Sequence, residues 1–277
     1  MYHFFVKPEN IGEKEIRIVG EDVKHMKNVL RMKPGEVIRL CTGLDNKDYR
    51  CEIESLRDDE VIAKIMWIET EGTELDSRIW LFQSLPKSDK METIVQKAVE
   101  LGVYTIVPVV SRRSIVRLEG SKAENRIRRW NAISESAARQ SKRMIIPQVR
   151  QIVSFHEAVR MASSLDVLLI PYERADDMDH TRRVIGSIKP GQSVGIFIGP
   201  EGGFDEKEVD EAAAAGAECI TLGRRILRTE TAGMTVLSIL MYTLERGWKD
   251  GAGESAGTEQ GNNTGKDQKN TGKDIVQ

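Results

Sequence analysis

The feature that most constrains this chain is a regular alternation of short apolar runs with amphipathic stretches. Runs rich in β-branched residues predict strands at 79–84, Thr105–Val110 and 194–198. Between the first two strands, residues 89–101 place their apolar side chains along one face of a helix. Strands that alternate with helices in this way predict a parallel sheet with helices packed on its faces. We therefore expect an α/β fold for most of the chain.

The same alternation continues through the second half of the chain. Further helices are predicted at 123–142, Phe155–Ala162, 180–188 and from Asp205 onward, and further strands at 166–171 and 219–222. The last helix is expected to have Thr229 as its N-cap and to include the apolar stretch from Met234 to Leu244. Because that stretch is apolar on nearly every side, we expect the helix to be buried, in the core or at a subunit interface.

Two turns at strand ends carry the residues that indicate a binding site. The first, at 198–204, has glycine at three of the five positions 199–203. Glycine lets the backbone approach a ligand closely or adopt a positive φ. The second turn, at 222–232, follows the last predicted strand. Since ligands of open α/β sheets collect beyond the carboxyl ends of the strands, both turns are expected to face one crevice.

The first turn lacks the known phosphate-binding patterns. It contains neither the Gly-x-Gly-x-x-Gly of dinucleotide sites nor the Gly-x-x-x-x-Gly-Lys-Ser/Thr of P-loops. The carboxylate of Glu201 would also repel a pyrophosphate. Backbone groups beside a carboxylate are better suited to a neutral or cationic ligand. Gly-Pro and Gly-Gly pairs occur in ordinary loops as well, so the turn by itself leaves a purely structural role open.

Taken together, the two turns resemble the paired signature of a known family. Ile198-Gly-Pro-Glu-Gly-Gly-Phe204, followed by Leu222-Gly-x-Arg-Ile-Leu-Arg-Thr-Glu-Thr-Ala232, is similar to the motifs of the RsmE family of bacterial ribosomal RNA methyltransferases. The resemblance covers about residues 1–248. It implies transfer of a methyl group from S-adenosylmethionine to uracil N3 of a specific uridine in 16S ribosomal RNA, either as RNA or in the assembled 30S subunit. It also implies a SPOUT-type parallel sheet with a C-terminal trefoil knot, and a homodimer.

The resemblance and the chemistry of methyl transfer assign candidate site residues. Loss of the uracil N3 proton calls for a carboxylate, and a cation near O2 or O4 would stabilise the developing imidate. We assign the cation to Arg228 and the proton acceptor to Glu230, with Glu201 as an alternative and a helix-dipole role for Glu230 left open. The expected cofactor-binding residues are mostly main chain and apolar: Pro171, Ile198, Gly199, Pro200, Glu201, Gly202, Leu222, Gly223, Ile226, Leu227, Thr231 and Ala232.

The first 70 residues have a different pattern. Short runs of β-branched and aromatic residues predict strands at 4–6, Val37–Cys41, 49–53 and 61–67, with one helix at 22–30. This pattern is typical of a small β-barrel-like module. The family resemblance implies that it is a PUA-like RNA-binding domain, to which His25, Arg31 and Lys33 contribute contacts.

The polar segment at residues 69–76 marks the expected domain boundary. It divides the chain into a β-domain at 1–70 and a methyltransferase domain at 77–248. Residues 249–277 contain no aromatic and very few aliphatic side chains, so they cannot bury a core. We expect a disordered tail there.

The clearest charge signal lies at residues 112–150, where eleven basic residues face three acidic ones. A local excess of this size, in a chain of net charge −2, is typical of a surface that binds phosphates. Ordinary ion pairs on a solvated helix account for part of it. The segment Gln140-Ser-Lys-Arg143 resembles the Gln-Ser-x-Arg motif of the family, although Arg139 stands where many relatives carry an acidic residue. The expected RNA contacts are Arg112, Arg113, Arg139, Gln140, Lys142 and Arg143.

Composition sets the remaining limits. No apolar run approaches the ~20 residues that span a bilayer, and residues 1–7 lack the features of a signal peptide. We therefore expect a cytoplasmic protein. The three cysteines, Cys41, Cys51 and Cys219, lack metal-ligand spacing, and we expect no metal.

Three other functions are compatible with parts of this pattern. A 2′-O-ribose RNA methyltransferase of the SPOUT class would differ in the atom that receives the methyl group. A non-catalytic RNA-binding or assembly factor would use the β-module and the basic region without needing both turn motifs. A nucleotide-dependent oxidoreductase is disfavoured because the phosphate-binding pattern is missing.

Overall fold

Two β-sheets, each with its own hydrophobic core, make up the described part of the chain. The computed structural model describes residues 1–70 and 72–245. The expected tail at 249–277 lies outside the described residues, and the expected domain boundaries stay predictions. Among the described helices, none combines the length and apolar character needed to cross a membrane.

The first sheet belongs to the N-terminal module. Its strands are β1 (His3–Phe5), β2 (Glu15–Val19), β3 (Val37–Cys41), β4 (Asp48–Leu56) and β5 (Glu60–Glu69). They lie in the order β1-β3-β4-β5-β2, and neighbours are antiparallel except for β1 and β3. Register shifts between β4 and β5 add curvature to the pair. The concave side encloses buried aliphatic side chains such as Ile16, Ile38 and Val61.

The second sheet is parallel throughout, as the alternation predicted. Its strands are β6 (Arg78–Ser84), β7 (Thr105–Val110), β8 (Gln148–Val149), β9 (Val153–Ser154), β10 (Val167–Pro171), β11 (Ser193–Ile198) and β12 (Ala217–Ile220). They lie in the order β12-β10-β11-β6-β7-β8, and β9 pairs with the far end of β7. Because β10 lies between β12 and β11 and all three strands are parallel, the carboxyl ends of β10, β11 and β12 are neighbours.

Helices cover both faces of the parallel sheet. The helices are α1 (Glu21–Lys24) in the N-terminal module, then α2 (Lys90–Glu100), α3 (Gly120–Gln140), α4 (Phe155–Ala162), α5 (Met178–Ser187), α6 (Glu206–Ala214) and α7 (Thr229–Leu244). The core on one face takes side chains from α2, α3, α5 and α7, and the core on the other from α4 and α6. Side chains alternate between these cores along β11, where Val194 and Ile196 enter the first and Phe197 the second. The α/β fold is confirmed, and the trefoil knot stays a prediction.

The structure differs from the sequence predictions in several elements. The strands β2, β8 and β9 were missed, β2 because Glu15 and Arg17 interrupt its apolar residues and the other two because they have two residues each. The helix predicted at 22–30 is divided, since α1 ends at Lys24 and a π-helical turn follows at His25–Val29. Thr229 is not the N-cap of α7: Arg228 takes that position, and the Thr229 hydroxyl donates to the Gly199 carbonyl 2.6 Å away.

Two contacts join the N-terminal module to the end of the basic region. The Ile146 amide donates to the Gly43 carbonyl at 2.9 Å. The Arg139 guanidinium, in the last turn of α3, lies 2.7 Å from an Asp22 carboxylate oxygen in α1. The basic end of α3 therefore adjoins the surface of α1 and the π-helical turn that follows it.

Candidate functional site

A cleft of about 1280 Å³ lies beyond the carboxyl ends of β10, β11 and β12. Ten of the twelve predicted cofactor-binding residues line it: Pro171, Ile198, Gly199, Pro200, Glu201, Leu222, Gly223, Ile226, Leu227 and Ala232. Arg228 also lines the cleft, whereas Gly202, Thr231 and Glu230 are not among its lining residues. The two turns thus face one crevice, and the contact of each residue with a cofactor stays a prediction.

The glycine-rich turn is folded tightly back on itself. The Gly203 amide donates to the Pro200 carbonyl at 2.9 Å, and Gly203 has a φ of +67°, a conformation that side chains disfavour. A Cβ atom on Gly199 would lie 3.3 Å from backbone atoms of Gly203 and Phe204. Phe204 is buried against Phe155, with ring centroids 5.3 Å apart, which anchors the turn to the core. A side chain at position 199 would therefore press on the backbone of the turn and displace it by a few tenths of an ångström.

A chain of hydrogen bonds ties the second turn to the first. The buried Gln83 side chain, near the end of β6, donates through Nε2 to the Thr229 hydroxyl at 3.0 Å. That hydroxyl in turn donates to the Gly199 carbonyl. These bonds fix the start of α7 against the end of β11 and hold Arg228, one residue earlier, at the edge of the cleft.

Lys90 is a cleft residue that the sequence patterns did not identify. Its ammonium nitrogen lies 3.0 Å from Glu201 Oε1 and 3.6 Å from Glu230 Oε2. The Lys87 amide also donates to Glu201 Oε1, at 3.1 Å. Burial raises the pKa of Glu201, but the hydrogen bonds from Lys90 and the backbone outweigh it, so the pKa lies below its ordinary value. The only sequence signal for Lys90 was a cation in the first turn of the helix predicted at 89–101.

The loop after β10 was also missed, although it forms one wall of the cleft. Its acidic lining residues are Glu173, Asp176, Asp177 and Asp179. Asp177 caps α5 by accepting from the His180 amide at 2.8 Å, a bond that lowers the pKa of that carboxyl. The signal that could have found this wall is a group of acidic residues directly after a strand, at the same edge of the sheet as the two glycine-containing turns.

Most of the predicted RNA-binding residues are exposed. His25, Arg31 and Lys33 are exposed on the N-terminal module, and Gln140 and Lys142 are exposed at the end of α3. Arg112 and Arg113 lie beside the glycine-rich turn, where each pairs with Asp205 at 3.7 Å and Arg113 donates to the Gly202 carbonyl. Their contact with RNA stays a prediction.

The prediction that Arg143 contacts RNA requires a correction, because this residue is buried. Its guanidinium is buried and lies 2.5 Å from Glu74, and it also donates to the Val99 and Val103 carbonyls. With its donors engaged inside the protein, Arg143 has a structural role and is not part of an RNA surface. Arg139 is also engaged, through Asp22 and Glu135, and is only partly exposed.

The cysteines show no sign of reactivity or metal binding. Burial raises the pKa of Cys41 and of Cys51 to about 12, which keeps both thiols protonated near neutral pH. Within residues 1–70 and 72–245, no group of three or more His, Cys, Asp or Glu side chains is arranged to hold a metal ion.

Comparison with known protein families assigns a domain type to each of the two modules. A model of the RNA methyltransferase domain matches residues 73–241, and a model of the RNA methyltransferase PUA domain matches residues 18–66. The first match covers the parallel sheet with both cleft turns. The second covers most of the curled N-terminal sheet, which confirms that this module is PUA-like.

Individual relatives match over most of their length. The ribosomal RNA small subunit methyltransferase E of Bacillus subtilis is 35% identical to this chain, over 82% of the chain and 90% of the relative. A crystal structure of the enzyme of that name from Neisseria gonorrhoeae, bound to S-adenosyl methionine, is 35% identical with a TM-score of 0.73 and covers 87% of this chain and 97% of its own. A Legionella pneumophila methyltransferase structure in complex with the bound cofactor SAM is 31% identical, with a TM-score of 0.72 over 87% and 96% of the two chains.

Proposed function

This chain belongs to the ribosomal RNA small subunit methyltransferase E family, and on that premise we propose that it transfers a methyl group from S-adenosylmethionine to uracil N3 of a uridine in small-subunit ribosomal RNA. The observation that carries the proposal is the single cleft into which both signature turns project. The RNA methyltransferase and PUA domain matches support RNA as the substrate.

The residues of the cleft fit S-adenosylmethionine. The ligand carries an ammonium, a sulfonium and a carboxylate, and the cleft offers side chains of both signs. Acidic groups such as Asp176 and Glu173 suit the cationic part, and backbone groups of the two turns suit the neutral adenine. The volume of about 1280 Å³ exceeds the roughly 300–1000 Å³ typical of a small-molecule site. The excess leaves room for a base that is turned out of the RNA.

The chemistry assigns the chain three tasks. The bound cofactor supplies an electrophilic methyl group on a sulfonium sulfur. The protein must hold uracil N3 in line with that methyl carbon, which is mainly a matter of positioning. Glu230 is proposed to accept the N3 proton, so that the nitrogen lone pair forms the new N–C bond. Arg228 is proposed to stabilise the negative charge that develops on the uracil oxygens.

An added side chain at Gly199 is expected to weaken S-adenosylmethionine binding. The Cβ atom would press on backbone at 3.3 Å, and overpacking of this kind costs about 1–3 kcal/mol. Relieving this contact moves the turn that lines the cleft, and Gly199→Val should therefore raise the Kd for the cofactor roughly tenfold, measured by calorimetry. Gly186→Val, in α5, is the matched control, because nothing lies within 4 Å of its Cβ position and Gly186 does not line the cleft. Equal affinities for the two variants would contradict the close packing inferred for Gly199.

The proposed RNA surface runs from the PUA-like module across the end of α3. The Asp22–Arg139 ion pair joins these parts, and His25, Arg31, Gln140 and Lys142 are exposed around them. Arg112 and Arg113 carry positive charge at the other edge of the sheet, beside the glycine-rich turn and the cleft. Such charges bind phosphates without reading sequence, so the RNA is proposed to contact both basic regions.

We further propose that the protein acts as a homodimer in the cytoplasm, where small-subunit RNA is found. Ile226 at the edge of the cleft is 89% exposed, and Tyr242 on helix α7 is 87% exposed. Burying these side chains against a second copy would remove apolar surface from water. Sedimentation analysis is expected to show a dimer for the wild type and a larger monomer fraction for Ile226→Glu/Tyr242→Glu. A wild-type monomer would contradict this part of the proposal.

The test of the reaction is transfer of labelled methyl from S-adenosylmethionine to small ribosomal subunits that lack the modification, with free small-subunit RNA in parallel. Mass spectrometry of the product nucleosides is expected to show 3-methyluridine. A 2′-O-methylated nucleoside would instead identify a ribose methyltransferase. Cofactor binding without transfer to either substrate would mean that the target is a different RNA.

A further inference from the structure

Lys90 occupies a position where a cation is electrostatically unfavourable. It is the first residue of α2, and the N-terminus of a helix carries a partial positive charge that favours carboxylates. The preceding Asp89 makes no side-chain capping bond that would offset the charge. The compensation comes from Glu201 and Glu230, which are more than a hundred residues away in the sequence. A residue that breaks a local rule and is compensated from elsewhere is typical of a functional site.

The two carboxylates around Lys90 are held differently. Glu201 accepts hydrogen bonds from the Lys90 ammonium and from the Lys87 amide. Glu230 Oε2 is buried and has no hydrogen-bond partner, because the 3.6 Å to Lys90 is too long for one. The cluster contains one ammonium and two carboxylates, so Glu230 feels the positive charge while one of its oxygens stays unshared. The attraction of the Lys90 ammonium therefore holds the Glu230 carboxylate in one place, and a fixed position is what a proton acceptor needs.

Lys90 also connects the three elements that surround this side of the cleft. It starts α2, Glu201 lies in the turn after β11, and Glu230 lies in the first turn of α7. The side chains of all three are partly buried, with exposed fractions of 29%, 28% and 20%. An ion-paired network of this kind is harder to replace than an exposed pair, because its members are partly shielded from water.

Resting on the proposed methyl transfer, we propose that Lys90 is a positioning residue, whose ammonium is held by Glu201 and in turn fixes the Glu230 carboxylate for removal of the uracil N3 proton. In this arrangement Glu201 anchors the lysine and is not the proton acceptor. The N3–H bond breaks as the proton moves to Glu230, and the electron pair left on nitrogen forms the bond to the methyl carbon while the carbon–sulfur bond breaks and its electron pair stays on sulfur.

The experiment compares Lys90→Met, Lys90→Arg and the control Lys97→Met in methyl transfer to unmodified small subunits. Lys97 is on the same helix, and among residues 1–70 and 72–245 its ammonium pairs only with Glu100. Lys90→Met is expected to lower kcat by up to about 100-fold, the loss that a misplacement of ~1 Å can cause. The cofactor Kd and the KM for the subunits should change little, Lys90→Arg should recover most of the rate, and Lys97→Met should match the wild type.

A second comparison separates a damaged fold from a lost positioning role, in case Lys90→Met lowers the midpoint of thermal unfolding. In a Glu230→Gln background, adding Lys90→Met should cost little further activity, because residues that act as a unit are not additive. If the losses of activity of Lys90→Met and Glu230→Gln multiply in the double variant, the inference is overturned. An unchanged kcat with a raised cofactor Kd would also overturn the inference, because Lys90 would then only line the cofactor site. A wild-type protein that methylates neither subunits nor RNA would instead refute the proposed function, and this inference with it.

Discussion

Replacing Arg228 with alanine is expected to lower kcat for methyl transfer by about 100- to 1000-fold, the loss typical when a donor to a developing oxyanion is removed. Arg228 is the N-cap of α7, lines the cleft and is exposed. Within the described residues its guanidinium makes no ion pair or side-chain hydrogen bond, so it is available to a ligand. The charge on the uracil oxygens appears only as the N3 proton leaves. The cofactor Kd, measured by calorimetry, should therefore change far less than kcat.

Arg224→Ala provides the matched control for this prediction. Arg224 lines the same cleft, is exposed and carries the same charge, but it occupies the variable position of the second turn motif. Its replacement removes a positive charge from the cleft without removing the proposed contact, and the loss in kcat should be clearly smaller. Equal losses would show that the overall charge of the cleft matters and that Arg228 has no special role.

Replacing Arg143 with methionine is expected to lower the free energy of unfolding by about 3–5 kcal/mol, the usual cost of leaving one partner of a buried ion pair unpaired. Arg143 and Glu74 are each only 5% exposed. Glu74 also accepts from the Met144 amide at 2.9 Å, and Arg143 donates to two carbonyls at the end of α2. The pair thus links the segment between the two sheets to α2 and to the chain after α3. Urea denaturation measures the difference.

Two variants separate this structural role from RNA binding. Arg139→Met breaks a pair that is about one-third exposed, so it should cost less than about 1 kcal/mol. The double variant Glu74→Leu/Arg143→Met removes both buried charges and should be more stable than Arg143→Met alone. If Arg143→Met were as stable as the wild type but bound RNA more weakly, the motif-based assignment of Arg143 to RNA contact would be right and its structural role wrong.

The parallel sheet and most helices were predictable from the sequence because their signals are local. Apolar periodicity located α4 and β7 with their observed bounds, and most other elements of the second sheet within a few residues. The strands that were not predicted were missed for local reasons as well. The strands β8 and β9 have two residues each, too few to show a pattern, and β2 alternates with charged residues.

The two turns and the basic stretch were likewise visible in the sequence, since glycine content and charge are properties of a short segment. That both turns would face one crevice followed from a general property of parallel sheets. The acidic wall after β10 lies at the same edge and was missed because single carboxylates in a loop are common.

The fold class, the two cleft turns and the family signature could be read from the sequence, because they depend on residues close together in the chain. The burial of Arg143 against Glu74, and the contacts of Lys90 with Glu201 and Glu230, are visible only in the folded chain. Such contacts depend on strand order, here the insertion of β11 between β10 and β6. Strand order results from packing the whole sheet at once, and no local pattern of residues encodes it.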